Sequence, residues 1–182
     1  MRRVFAAVAL LVGFAACRLA PSPGPSTPAV GVDGRGTLVR VVDGDTIVVR
    51  VGGHDERVRL IGIDTPESVK PGGPVECFGK EASAHLASLL PEGVAVRLVG
   101  DVEQRDRYGR LLAYVYRDAD GLFVNAAMAR DGFAEPLTVP PNLAHTGELA
   151  AAARSARESR RGLWAACATG ATGAAPPTRA PP

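Results

Sequence analysis

Residues 41–67 open with Asp43-Gly44-Asp45-Thr46 and close with Arg59-Leu60-Ile61-Gly62-Ile63-Asp64-Thr65-Pro66-Glu67. Hard cations such as Ca²⁺ take oxygen ligands from carboxylates, backbone carbonyls and water, and four carboxylates (Asp43, Asp45, Asp64, Glu67) stand near predicted strand ends here. Arg59 sits beside the second group, and Arg110 follows Tyr108-Gly109 further along. A guanidinium fork binds phosphate oxygens bidentately and keeps its charge at any working pH. Together these residue types could build an oxygen-rich cation site next to a phosphate site. Taken singly they carry less. Asp-Gly-Asp is ordinary β-turn composition, and most strand arginines are surface residues. No Cys/His cluster has zinc-like spacing.

The elements that would hold these groups are mostly strands. Period-two alternation and β-branched residues predict strands over 37–42, 46–51, 56–63, 94–99 and 110–117, with Leu122 and Phe123 adding a short one. Gly52-Gly53-His54-Asp55 is the expected turn between the second and third. Three consecutive strands with tight connections suggest an antiparallel meander that curls into a barrel. Apolar residues at helical spacing (Phe78, Ala82, Leu86, Leu89, Leu90) predict a helix over 79–90. A short helix is expected over 125–130, with Gly132 as its C-cap, and a last one over 148–161, with Leu149, Ala152, Ala153 and Ala156 as a narrow stripe. The fold class is therefore α+β, mainly β. Residues 68–77 read as a Pro/Gly-rich loop, and 136–145 as an irregular one.

The chain has 182 residues, with 21 basic against 19 acidic. Bulk charge therefore does not steer it to polyanions, and any nucleic-acid affinity must come from a local site. The expected organisation is a signal peptide at 1–16, a Pro-rich tether at 17–36, an ordered domain at 37–167 and a disordered tail at 168–182. Arg2 and Arg3 precede an apolar run over 4–16 that is too short to span a bilayer, which takes about 20 residues. Ala15-Ala16-Cys17 resembles a bacterial lipobox, with Phe14 where Leu is usual, so Cys17 is the candidate lipidation site. An ordinary cleaved signal is the alternative. If Cys17 is acylated, Cys77 and Cys167 remain, and a disulfide between them is expected in an oxidising compartment. Two free thiols are the alternative.

The ordered run of DGDT, RLIGIDTPE, ECFGKEA, DRYGRLLAYVY and GLW resembles the staphylococcal nuclease family over roughly 37–164. The resemblance implies a five-stranded OB-fold barrel with three helices. It also implies a monomeric, Ca²⁺-dependent endonuclease that hydrolyses DNA and RNA to 3′-phosphates. By the same resemblance, Asp45, Asp64 and the Thr65 carbonyl would bind Ca²⁺, and Asp43 would support them. Arg59 and Arg110 would hold the scissile phosphate, Glu67 would contact the attacking water, and Tyr108 would flank the phosphate or nucleotide pocket. A reading from another class is a catalytically silent module that binds nucleic acid or protein, but such a module has no need to keep this set together. Family enzymes often carry tyrosines and lysines in the loop before the last helix. Here residues 135–141 (Glu-Pro-Leu-Thr-Val-Pro-Pro) have neither, which implies weaker or altered base contacts.

His85 is expected to be structural, His54 to lie in a turn, and His145 to bond a carboxylate such as Glu81. Arg154, Arg157, Arg160 and Arg161 read as a solvated helix face.

Overall fold

The computed structural model describes residues 34–68 and 76–167. The proposed signal peptide, residues 17–33 of the tether with Cys17, and the tail lie outside the described residues, while residues 34–36, expected as the end of the tether, begin β1. Five strands close into a barrel in the order β1-β2-β3-β6-β5: β1 (Gly34–Asp43), β2 (Thr46–Val51), β3 (His54–Leu60), β5 (Ala95–Val99) and β6 (Leu111–Arg117). The pleat sends successive side chains to opposite faces. In β3 this puts Val58 and Leu60 in the core and leaves Arg57 and Arg59 on the other face. β5 alternates likewise, with Val96 and Leu98 buried between exposed Ala95 and Arg97. Helix α1 (Gly79–Leu89) packs Ala82 and Leu86 into the same core.

Four features differ from the sequence reading. β1 starts at Gly34 because residues 34–37 pair with β5, a long-range match that no local pattern announces. Register shifts along β1 let it serve β5 with its first half and β2 with the rest. The run expected as one strand over 56–63 is broken at Gly62, whose φ of 81° belongs to the left-handed region. A side chain there would also collide with Leu149 of α3 (Thr146–Glu158). Beyond the break, β4 (Ile63–Asp64) leaves the barrel and pairs with β7 (Glu135–Pro136), at the start of the segment expected to be irregular. Helix α2 (Val124–Arg130) and the one-turn α4 (Leu163–Ala166) complete the fold, α4 being additional to the three expected helices.

The barrel closes through a parallel β3–β6 contact of only three residue pairs, Val58↔Leu111 to Leu60↔Ala113. Fully buried Asn125 extends it. Its Nδ2 donates to the Ile61 carbonyl at 2.8 Å, and its Oδ1 accepts from the Val115 N–H at 2.9 Å. One side chain thus continues a ladder where the backbone has turned away. Cys77 and Cys167 are joined by a disulfide with Cα atoms 6.0 Å apart, within the usual span.

Histidines are settled by neighbours. His85 stacks on Phe133, centroids 3.9 Å apart, and its Nε2 lies 3.1 Å from Asp131. His54 begins β3 rather than sitting in the turn. His145 meets Glu148 at 3.0 Å, one helical turn on, and not Glu81.

Removing the Asn125 amide strands two buried backbone groups, at about 1–3 kcal/mol each. Asn125→Ala should therefore lower unfolding free energy by about 2–6 kcal/mol. An unchanged midpoint in urea would show that the ladder closes without it.

Candidate active site

Asp45 lies in the tight turn between β1 and β2, next to Thr46, which already pairs with Arg59 of β3. The backbone of Leu60 donates to the Asp45 carbonyl at 2.9 Å, which fixes the turn against the end of β3. Gly44 is required by what faces it: a Cβ there would lie 2.6 Å from Thr65 Oγ1 and 2.9 Å from the Ala82 Cβ. The Asp-Gly-Asp sequence is thus a turn, as its composition says, but one pressed against the Asp64-Thr65 segment and α1.

Arg59 is the link between the two halves of the site. Its Nη1 lies 2.6 Å from Asp45 Oδ2 and its Nη2 2.8 Å from Asp64 Oδ1, with only 13% of the side chain exposed. The Thr65 N–H donates to Asp45 Oδ2 at 3.2 Å. Burial, reinforced by Asp64 and opposed by Arg59, raises the Asp45 carboxyl above its ordinary range. Asp43 is held differently. It accepts from Ser68 Oγ at 2.6 Å, Ser83 Oγ at 3.1 Å and the Gly44 N–H at 2.8 Å. Burial works to raise the Asp43 carboxyl, but these hydrogen bonds together bring it below the usual carboxylate range. Asp43 therefore pins Ser68, the residue after Glu67, to β1 and α1.

Asp43, Asp45, Arg59, Asp64, Thr65, Glu67, Tyr108 and Arg110 all line one cleft of about 600 Å³. Arg110 is aimed by Asp106, a residue to which the sequence reading gave no role. Asp106 Oδ2 accepts from Arg110 Nε at 2.6 Å, while its Oδ1 accepts the N–H groups of Tyr108 and Arg110, both at 2.9 Å. The signal was present in the D-x-Y-G-R spacing, because an aspartate four residues ahead can bond both the backbone and the side chain of the arginine. Tyr108 is 66% exposed, flanked by Arg107 and Arg110 at 4.7 and 5.5 Å from its ring centroid. Arg105 fastens this loop to β3 by pairing with Glu56 and donating to the Gly109 carbonyl at 2.9 Å. Leu137 and Val139 also line the cleft.

The donor set suits a hard cation. Two carboxylates converge on one guanidinium, and the protein atoms they offer are oxygens. Among the described residues, no group of three His, Cys, Asp or Glu side chains is arranged to hold a metal ion, so carbonyl and water oxygens would have to complete the shell.

A model of the staphylococcal nuclease homologue family matches residues 57–166. The chain is 44% identical to a thermonuclease of Staphylococcus intermedius over 134 residues, covering 73% of this chain and 78% of that protein. It is 39% identical to a thermonuclease of Staphylococcus hyicus, covering 70% of this chain and 73% of that protein. The chain belongs to the staphylococcal nuclease family. Endonuclease YncB of Bacillus subtilis (strain 168) is 35% identical, with 60% of its length covered. The chain is accordingly a nuclease, a phosphodiester hydrolase whose substrate is nucleic acid, and its closed five-stranded barrel agrees with the OB-fold of this nuclease family.

The rim of the nuclease cleft is tied down by Asp101. It accepts from Tyr114 Oη and the Ala144 N–H, both at 3.0 Å. Beside it, Asn142 exchanges two hydrogen bonds with the Glu103 backbone, at 2.7 and 2.9 Å. Burial, aided by Asp101, pushes the Tyr114 phenol from 10.0 up to about 12. A raised folded-state value means that the contribution is complete below the unfolded value and is lost as pH rises through the folded one. Wild-type stability should therefore fall between pH 10.0 and about 12. Tyr114→Phe should show a shallower fall in thermal melts across that window; parallel curves would refute the coupling.

Proposed function

We propose that the chain is an extracytoplasmic, Ca²⁺-dependent endonuclease that cleaves DNA and RNA to 3′-phosphates, acts as a monomer, and is tethered to a membrane through a lipidated Cys17. The observation that carries the catalytic reading is the bridging of Asp45 and Asp64 by Arg59 in the cleft that also holds Arg110 and Glu67. The Cys77–Cys167 disulfide supports an oxidising setting outside the cytoplasm.

In this reading Asp45, Asp64 and the Thr65 carbonyl hold Ca²⁺. When bound, the cation supplies positive charge beside the phosphate and favours ionisation of a coordinated water. Arg59 and Arg110 hold the scissile phosphate. Phosphodiester hydrolysis builds negative charge on a five-coordinate phosphorus, and fixed guanidiniums meet that charge without reorganising. Strand β3 and the Asp106 carboxylate supply the fixing. Glu67 orients or deprotonates the attacking water, and Tyr108 flanks the nucleotide.

The test is cleavage of single-stranded DNA by the purified protein in Ca²⁺ and in excess chelator, with analysis of product ends and Ca²⁺-dependent melting. Metal-dependent cleavage to 3′-phosphates supports the reading. A folded protein that neither cuts nor gains stability from Ca²⁺ refutes it and favours a silent binding module. Arg59→Ala, Arg110→Ala and Glu67→Ala should each slow turnover by about 100- to 1,000-fold while the domain stays folded. Near-normal turnover in any one removes its assigned role. Leu137 and Val139 give the cleft an aliphatic wall. Base–aromatic stacking contributes roughly 1–3 kcal/mol, so Leu137→Tyr should lower KM by about fivefold or more. An unchanged KM would mean that bases do not reach this wall.

A further inference from the structure

We propose that Glu76, anchored by the adjacent Cys77–Cys167 disulfide, is a positioning residue for Glu67, so that turnover depends on the oxidation state of that disulfide. The proposal rests on the nuclease reading and on the place of Glu67 in it.

Glu76 grips both polar groups of the Glu67 backbone. Its N–H donates to the Glu67 carbonyl at 3.0 Å, and its Oε2 accepts from the Glu67 N–H at 3.1 Å. A residue bonded at both its N–H and its C=O by one neighbour is fixed in position and in rotation, and with it the direction in which its own side chain departs. The neighbouring contacts tighten the same peptide. Asp43 holds Ser68 on one side, and a Cβ on Gly79 would come within 2.5 Å of the Glu67 carbonyl oxygen on the other. The Gly79 N–H in turn donates to the Glu76 carbonyl at 3.0 Å, so Glu76 sits between the peptide it grips and the start of α1.

The next residue, Cys77, is bonded covalently to Cys167 at the end of α4, 90 positions away. That end is itself held: the Cys167 N–H donates to the Leu163 carbonyl at 2.9 Å, and the Leu163 N–H to the Gly132 carbonyl at 2.8 Å. The disulfide therefore ties Glu76 to the far end of α2 through bonds that do not pass through α1 or the barrel. Reduction by a dithiol transfers two electrons and two protons. The Cys77–Cys167 S–S bond breaks, two S–H bonds form, and the dithiol closes to its own disulfide. The clamp then keeps its hydrogen bonds but loses its anchor.

The experiment compares wild type, Glu76→Ala, Glu76→Gln, the Cys77→Ser/Cys167→Ser double variant and dithiothreitol-treated wild type. Steady-state cleavage of single-stranded DNA is measured in Ca²⁺, circular dichroism reports folding, and NMR follows amide exchange at Glu67. A small misplacement of a reacting group can cost about 100-fold. Glu76→Ala should lower kcat by about 10- to 100-fold with KM little changed, and should speed Glu67 amide exchange. Glu76→Gln keeps an acceptor oxygen and should restore most of both. The folded reduced protein and the double-cysteine variant should fall between Glu76→Ala and wild type. Folded Glu76→Ala with unaltered kcat and exchange overturns the clamp, and folded reduced protein with full kcat overturns its redox dependence. Wild type that cuts nothing overturns the nuclease reading instead. Amide exchange still decides the clamp in that case, because a rapidly exchanging Glu67 N–H in oxidised wild type refutes it.

Discussion

Two carboxylates set close together in a partly buried cleft repel each other, and Asp45 and Asp64 are held in that arrangement by one guanidinium. Taking charge out of water costs several kcal/mol per ion, and the cost is offset only by close, well-directed pairing. Arg59 provides that pairing to both, at 2.6 and 2.8 Å. Much of the surrounding structure serves this contact. Antiparallel pairing of Thr46 with Arg59 sets Asp45 beside the arginine, and the break at Gly62 turns Asp64 back toward it. The carboxylate oxygens brought together here are the ligand type that a hard cation takes.

The other charged groups of the cleft are held by separate devices. Asp106 aims Arg110 from within its own loop, and Arg105 ties that loop to Glu56 of β3. Asp43 holds the segment that carries Glu67 through Ser68 and Ser83, and its carboxyl also meets the Glu67 side chain directly. Arg110 and the segment carrying Glu67 are thereby set by hydrogen bonds from residues that need not touch substrate. A preorganised site of this kind does not have to rearrange when charge develops on a bound phosphate. The dimensions also fit: β4 and β7 form a separate two-stranded ribbon, so the wall carrying Leu137 is positioned by pairing with the same strand that carries Asp64.

The sequence by itself determined the strand faces and the residue types at the site. Alternation placed Val58 and Leu60 inside and Arg57 and Arg59 outside, because the side-chain period of a strand is two whatever it packs against. The motifs around Asp45, Asp64 and Arg110 were legible for the same local reason, since the turns and strands that display them are short-range structures. Only the tertiary structure decided the rest. Strand β1 reaches back to Gly34 because β5 is there to receive it, and residue 62 has to be glycine because Leu149 of α3 occupies the space a side chain there would need. Asn125 looks in sequence like an ordinary helix residue and is in fact the buried bridge across the barrel seam. The grip of Glu76 on Glu67 likewise appears only when the chain has folded back on itself. Such contacts join residues far apart in the chain, and local pattern carries no record of which distant partner a backbone group will meet.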